Sequence, residues 1–156
     1  MYLPSSVPYN DKSPHDNNFP GARIRLARIN KGMTIEDLAK ISGITKFELG
    51  KIERGERNPS IATLRKLSQV LKVPIAYLGC FEQLPEDTLG QRIIKARLFH
   101  GFTQREFAKI LCINHKILHS WEQDRTRPSP IYFNTLEQFL KVLEEQNFDC
   151  QVIKNE

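Results

Sequence analysis

Gly21-Ala22-Arg23-Ile24, Gly32-Met33-Thr34 and Ala39-Lys40-Ile41 decide the fold, because the chain spells this pattern twice. At an offset of 69 positions they face Gly90-Gln91-Arg92-Ile93, Gly101-Phe102-Thr103 and Ala108-Lys109-Ile110. Pro59-Ser60 meets Pro128-Ser129, and Leu71-Lys72-Val73 meets Leu140-Lys141-Val142, so the register runs without a gap. A unit of roughly 55–60 residues can fold by itself, which makes this a duplicated domain rather than a solenoid repeat. Domains of that size bury only about 60% of the surface of their unfolded chain, which favours compact helical cores. The expected division is a disordered arm at 1–19, a first domain at 20–79, an acidic linker at 80–88, a second domain at 89–146 and a tail at 147–156.

Within the first copy the helix signals are local. Pro20 suits a helix start, and apolar spacing predicts a first helix over Gly21–Asn30 with Ile24, Ala27 and Ile29 turned inward. Thr34-x-x-Asp37 is a capping box for a second helix through Ile41, and Gly43 suits a left-handed turn after it. Thr45-x-x-Glu48 caps a third helix that reaches Glu53. Asn58-Pro59-Ser60 opens a fourth helix carrying Ile61, Leu64, Leu67, Val70 and Leu71, and Pro74 begins a last short one through Leu78. The second copy repeats the plan, with Thr103-x-x-Glu106 and Asn114 as caps and a longer fourth helix from Pro128-Ser129 to Gln146. The final residues, including Val152 and Ile153, read equally as a loose tail or a pairing strand. The fold class is therefore all-α, with about five helices in one copy and four in the other.

Ala39, Gly43, Ile44, Leu49 and Ile52 stand where Ala108, Cys112, Ile113, Leu118 and Trp121 stand in the second copy. A small Ala lets two helices cross closely, a positive-φ turn sets their angle, and the later apolar residues fill the wedge between them. On these residues each copy resembles the helix-turn-helix domain of lambda-repressor and Cro-like (XRE-type) regulators, over roughly residues 20–79 and 88–145. The resemblance implies a sequence-specific regulator of transcription, a bacterial or phage repressor, that binds double-stranded DNA with the third helix of each copy in a major groove. It also implies a stapling pair of Arg28 with Glu53, and of Arg97 with Glu122.

Carried onto this chain, the base-facing residues of the first copy are Lys46, Phe47 and Lys51. Lys donates to guanine acceptors, and Phe47 suits a thymine methyl. Arg54 and Arg57 follow as phosphate holders. In the second copy the base-facing places hold His115, Lys116 and Ser120; Gln104, Arg125 and Arg127 are the phosphate residues. The first copy has Ile35 where the second has Gln104. The second departs from the family pattern with Cys112 at the turn Gly and Asp124 at the Gly after the third helix. Unequal readers imply an asymmetric composite site. The ten-residue connector Gly79–Thr88 could span about 36 Å when extended, one turn of duplex.

The bulk properties agree with a polyanionic partner. The net charge is +5, and residues 20–79 hold 12 Lys or Arg against 5 Asp or Glu, residues 89–145 hold 9 against 6. The connector carries Glu82, Glu86 and Asp87 without a base. Three cysteines without framework spacing imply a reducing, cytoplasmic setting. No apolar run reaches membrane-spanning length. Cys112, His115 and His119 have the spacing of a metal site, but three ligands are a minimum and His is at home in a groove, so neither metal nor cofactor is expected. No phosphate loop or nucleophile set supports an enzyme. The competing reading is an antitoxin-like or other protein-interaction module, in which one copy serves partner binding or homodimerisation and the tail docks a protein partner.

Overall fold

The computed structural model describes residues 18–152, with side chains over 18–145. Every regular element among the described residues is helical. The first half contains α1 (Pro20–Asn30), α2 (Ile35–Ser42), α3 (Lys46–Glu53), α4 (Ile61–Leu71) and α5 (Ile75–Leu78). A 3-10 turn at Phe81–Gln83 leads to α6 (Leu89–Phe99), α7 (Gln104–Ile110), α8 (His115–Glu122) and α9 (Pro130–Val152).

The starts of the helices follow from their caps. Thr34 Oγ1 accepts from the Asp37 amide at 3.1 Å while Asp37 Oδ2 accepts from the Thr34 amide at 2.9 Å, closing a capping box. Thr103 and Glu106 repeat it on α7, at 3.3 and 2.8 Å. Each box satisfies two amides that the helix itself cannot. Thr45 and Asn114 accept from the Glu48 and Lys116 amides and set the first turns of α3 and α8.

Gly21 and Gly90, which open the two copies, are needed for a close approach. A Cβ on Gly21 would lie 1.8 Å from the Ile52 carbonyl oxygen, and one on Gly90 would lie 2.6 Å from that of Trp121. The start of the first helix thus rests directly on the end of the third. Two turns further along α1, Arg28 forks onto Glu53 with N–H···O distances of 2.7 and 2.9 Å and donates a third bond to the Met33 carbonyl at 2.9 Å. Arg97 forks onto Glu122 at 2.6 and 3.4 Å and donates to the Phe102 carbonyl at 3.0 Å. Glu53 and Glu122 are buried, so each pair is a desolvated tie at the centre of its half. The buried apolar residues of both halves join in one cluster, from Ile24 and Leu38 through Phe81 to Leu136 and Leu143.

Four sequence expectations change. Ile29 faces outward, 53% exposed; the inward stripe of α1 is Gly21, Ile24 and Ala27, one helical turn apart. The last helix runs past Gln146 to Val152, so the backbone there is helical and not a strand; Ile153 and the residues after it lie outside the described part, as does the arm over 1–17. Asn18 and Phe19 are placed: Asn18 Oδ1 accepts from Gln83 at 2.6 Å, and the Phe19 ring covers Gly55. The connector is folded rather than extended. Cys80 and Phe81 are buried, Leu84 packs on the core, and Glu82 and Glu86 are both ion-paired. The apolar Phe81 and Leu84 in the acidic stretch explain why it collapses.

Candidate nucleic-acid interface

The exposed side of α3 carries Lys46 and Phe47, with Lys51 half-buried one turn on. Phe47 is 71% exposed, the highest value among the large apolar side chains of the first half. It does not tuck into its own domain. The Lys51 ammonium stands 4.5 Å above its ring, a cation–π contact that holds both side chains on one patch. Lys46 pairs with Glu36 of α2, and that bond holds the Glu36 carboxyl below its usual range. Arg54 pairs with Glu56 at 2.6 Å, which likewise lowers the Glu56 carboxyl. Arg57 is exposed beside them. Ile35, Lys46, Phe47, Gly50 and Arg54 line a shallow hollow of about 450 Å³. Gly50 shapes it: a Cβ there would stand 3.0 Å from Arg54 Nη1. The glycine that weakens α3 by roughly 1 kcal/mol relative to Ala thus lets the guanidinium lie along the helix.

The second face is arranged differently. His115 and Lys116 are exposed at the start of α8, and Arg125 and Arg127 are exposed beyond its end. The salt bridges among the described residues leave Lys116, Arg125 and Arg127 without an acidic partner. Gln104 and Ser120 are engaged within the protein. The Gln104 amide donates to Glu122 at 2.7 Å and lies 3.3 Å from His119 Nδ1, so it braces the Arg97–Glu122 pair. Ser120 Oγ accepts from Thr126 at 2.8 Å. Asp124 accepts from Thr88 Oγ1 at 2.5 Å and from the Gly90 amide at 2.9 Å, which holds its carboxyl below the usual range, and Arg127 adds to the effect. The sequence did not point to Glu36 or Asp124 as partners, because each lies on a different element from the group it meets or caps; Glu56 meets Arg54 from two residues away in the same turn. Among the described residues no three His, Cys, Asp or Glu side chains are placed to hold a metal ion. No helix among them is long and apolar enough to cross a membrane.

A short, capped third helix that lies across the second and displays cations and one aromatic ring is the architecture of a helix-turn-helix DNA-binding domain. The helix-turn-helix family HTH_3 matches residues 24–78. The HTH-type transcriptional regulator SinR of Bacillus subtilis is 31% identical over 58% of this chain and 87% of its own length. The chain belongs to this XRE-type helix-turn-helix family of transcriptional regulators. Two other relatives are matched over less of their own length. An uncharacterized HTH-type regulator of Sinorhizobium medicae is 39% identical over 45% of this chain and 49% of its own, and SlrR of Bacillus subtilis is 48% identical over 37% and 39%. The chain thus spans about half the length of the first curated relatives it matches. No solved structure matches it.

Proposed function

We propose that residues 20–79 and 89–146 are two tandem helix-turn-helix domains and that the protein is a repressor reading a composite, non-palindromic DNA site through both. The observation that carries this reading is the repeated centre. Arg97, Glu122 and the Phe102 carbonyl reproduce the Arg28, Glu53 and Met33 arrangement at the same offset, and α8 then presents His115 and Lys116 where α3 presents Lys46 and Phe47. Lys46, Phe47, Lys51, His115, Lys116 and Ser120 face bases; Arg54, Arg57, Gln104, Arg125 and Arg127 hold phosphates. In the first domain Glu36 and Glu56 occupy the cations until phosphate oxygens or base acceptors replace them; the phosphate contacts of both domains release counterions from the DNA, so binding weakens as salt rises.

Selection of bound duplexes from a random pool tests this. The expected outcome is a site without two-fold symmetry. Lys46→Ala and Lys116→Ala then change which sequences are preferred, each costing about 1–3 kcal/mol at one position, while Arg57→Ala and Arg127→Ala weaken all sequences alike. A palindromic site altered only by Lys46→Ala would leave one reading domain and overturn the tandem reading.

A second reading rests on the exposure of Ile131, Phe133 and Ile117, at 80%, 40% and 45%, on α9 and α8. They make the second half the place where a protein partner or a second copy would dock, and a co-purifying chain would favour this interaction role.

A further inference from the structure

The reading faces do not explain Lys95. It sits inside α6 with 8% of its surface exposed, where the first half has Leu26. A buried ammonium is unfavourable unless it is paired and hydrogen-bonded. Lys95 Nζ donates to the Glu82 carbonyl oxygen at 3.2 Å and pairs with the Glu86 carboxylate at 3.3 Å. Both partners belong to the connector. The carboxylate of the same Glu82 takes Arg23 of α1, which also donates to the Tyr77 carbonyl at 2.8 Å and lies 4.7 Å above the Tyr77 ring. One connector residue is therefore gripped from the first half through its side chain and from the second half through its backbone. A second tie crosses directly: Arg65 of α4 donates to Glu106 of α7 at 2.9 Å. Beside it Ile75 and Arg65 close over Gly101, with Ile75 Cδ1 3.0 Å from where a Cβ would stand.

We propose that Lys95, Glu82 and the Arg65–Glu106 pair are positioning residues that lock the two helix-turn-helix halves into one body, so that the protein accepts a single separation and rotational phase between the two stretches of DNA it reads. The spacing claim rests on the tandem reading above. One added base pair moves the second stretch by about 3.4 Å and turns it by about 35° around the duplex. A flexible tether follows such a shift at little cost, because its effective concentration changes slowly with distance. A locked body cannot follow, and it loses the second domain's contacts altogether. This also accounts for a Lys at a core position: a paired charge gives a unique arrangement where Leu would accept several.

Two measurements on the full chain decide it. Spin labels at Lys31→Cys and Glu137→Cys, in a Cys112→Ser, Cys150→Ser background, report the distance between the halves without DNA. One narrow distance is expected, broadened by Lys95→Met and to a smaller degree by Arg65→Gln; a broad distribution before either substitution overturns the lock. The duplex found by selection is then bound with one, two and three base pairs inserted between its half-sites. The unsubstituted protein loses at least tenfold in affinity on the first insertion, and the two variants flatten that profile. If they keep the original profile, the spacing role fails. Arg65 is 40% exposed, so Arg65→Gln carries the test should Lys95→Met fail to fold. If Lys116→Ala leaves affinity for the selected duplex unchanged while the distances stay narrow, the tandem reading and the spacing claim are overturned and the lock is upheld.

Discussion

The two halves turn the same corners with different residues. In the first, Gly43 and Gly55 stand at the left-handed positions before and after α3, with φ of 69° and 74°. In the second, Cys112 and Asp124 stand there at φ of 55°. The path is kept because the rest of each half over-determines it: a capped helix on either side, Arg–Glu pairs at the centre and a close contact through Gly21 or Gly90. The residue at a corner can then take a second task. Asp124 does so, binding the Thr88 hydroxyl and the Gly90 amide at the start of α6. In the first half the Phe19 ring lies over Gly55 instead, and the first turn of α1 has neither an acid nor a side-chain cap. The second half thus satisfies its own helix start from within. The first half, with the larger excess of Lys and Arg, is the one expected to supply most of the attraction to phosphate.

The largest effect expected is at the centres, where the halves agree. Arg28→Met and Arg97→Met each leave a buried carboxylate unpaired, at a cost of about 3 kcal/mol in urea unfolding. The double changes Arg28→Met, Glu53→Met and Arg97→Met, Glu122→Met remove both charges and cost much less. Equal penalties in the two halves would sharpen the comparison. A penalty under about 1 kcal/mol for Arg97→Met would break it, and would mean that the Gln104 amide holds Glu122 without its partner.

At the corners, where they differ, effects are smaller. Gly43→Ala puts a Cβ into open space, so only the backbone resists, by about 1–2 kcal/mol. Cys112→Gly reverses the comparison and stabilises by less than about 1 kcal/mol, since relief of strain is partly offset by the freer unfolded chain. Asp124→Ala loses a cap and gains strain together, about 1–2 kcal/mol, and Asp124→Gly loses less. Thermal unfolding of the four variants ranks them. If Asp124→Gly is as stable as the parent, the bonds to Thr88 and Gly90 contribute nothing.

These corners also show what the sequence could reveal. Thr34 with Asp37 and Thr103 with Glu106 act across three residues, and their side chains alone announce a helix start. The helices and the exposed faces of α3 and α8 follow from such local signals. Lys46, Phe47, His115 and Lys116 are exposed because their neighbours Leu49 and Leu118 are the ones that pack. The connector was not legible in this way. Its Glu82 meets Arg23 from 59 positions away, and its acidity suggested solvent rather than a slot between two helices. Ile29 misled for a related reason: helical spacing names a stripe, and only the neighbouring helices decide how wide it is. Ser120 and Gln104 also bond inside the protein, to Thr126 and Glu122, which lie on a loop and a helix whose approach no spacing announces.

The smallest effect separates the capping boxes of α2 and α7. Asp37 is held below its usual range by Thr34 alone among its strong partners. Glu106 is held further down, to about 2, by the Thr103 amide and hydroxyl and then by Arg65 from the other half. A carboxyl whose folded pKa is depressed stabilises the fold above its unfolded value and loses that contribution as pH falls toward the folded one. The Glu106 contribution is therefore complete above about pH 5 and fades between there and about pH 2. Both side chains of the Arg65–Glu106 pair are 40% exposed, so solvent screening limits the cross-half part to at most about 0.5 kcal/mol. Stability measured from pH 7 to pH 3 should fall less steeply in Glu106→Gln than in the parent, and Arg65→Gln should lie between them. Identical slopes for the parent and Arg65→Gln would place the whole acid response in the capping box. The tie between the halves would then rest on Lys95 and the connector, a contact with no counterpart in the first half, where Leu26 takes its place.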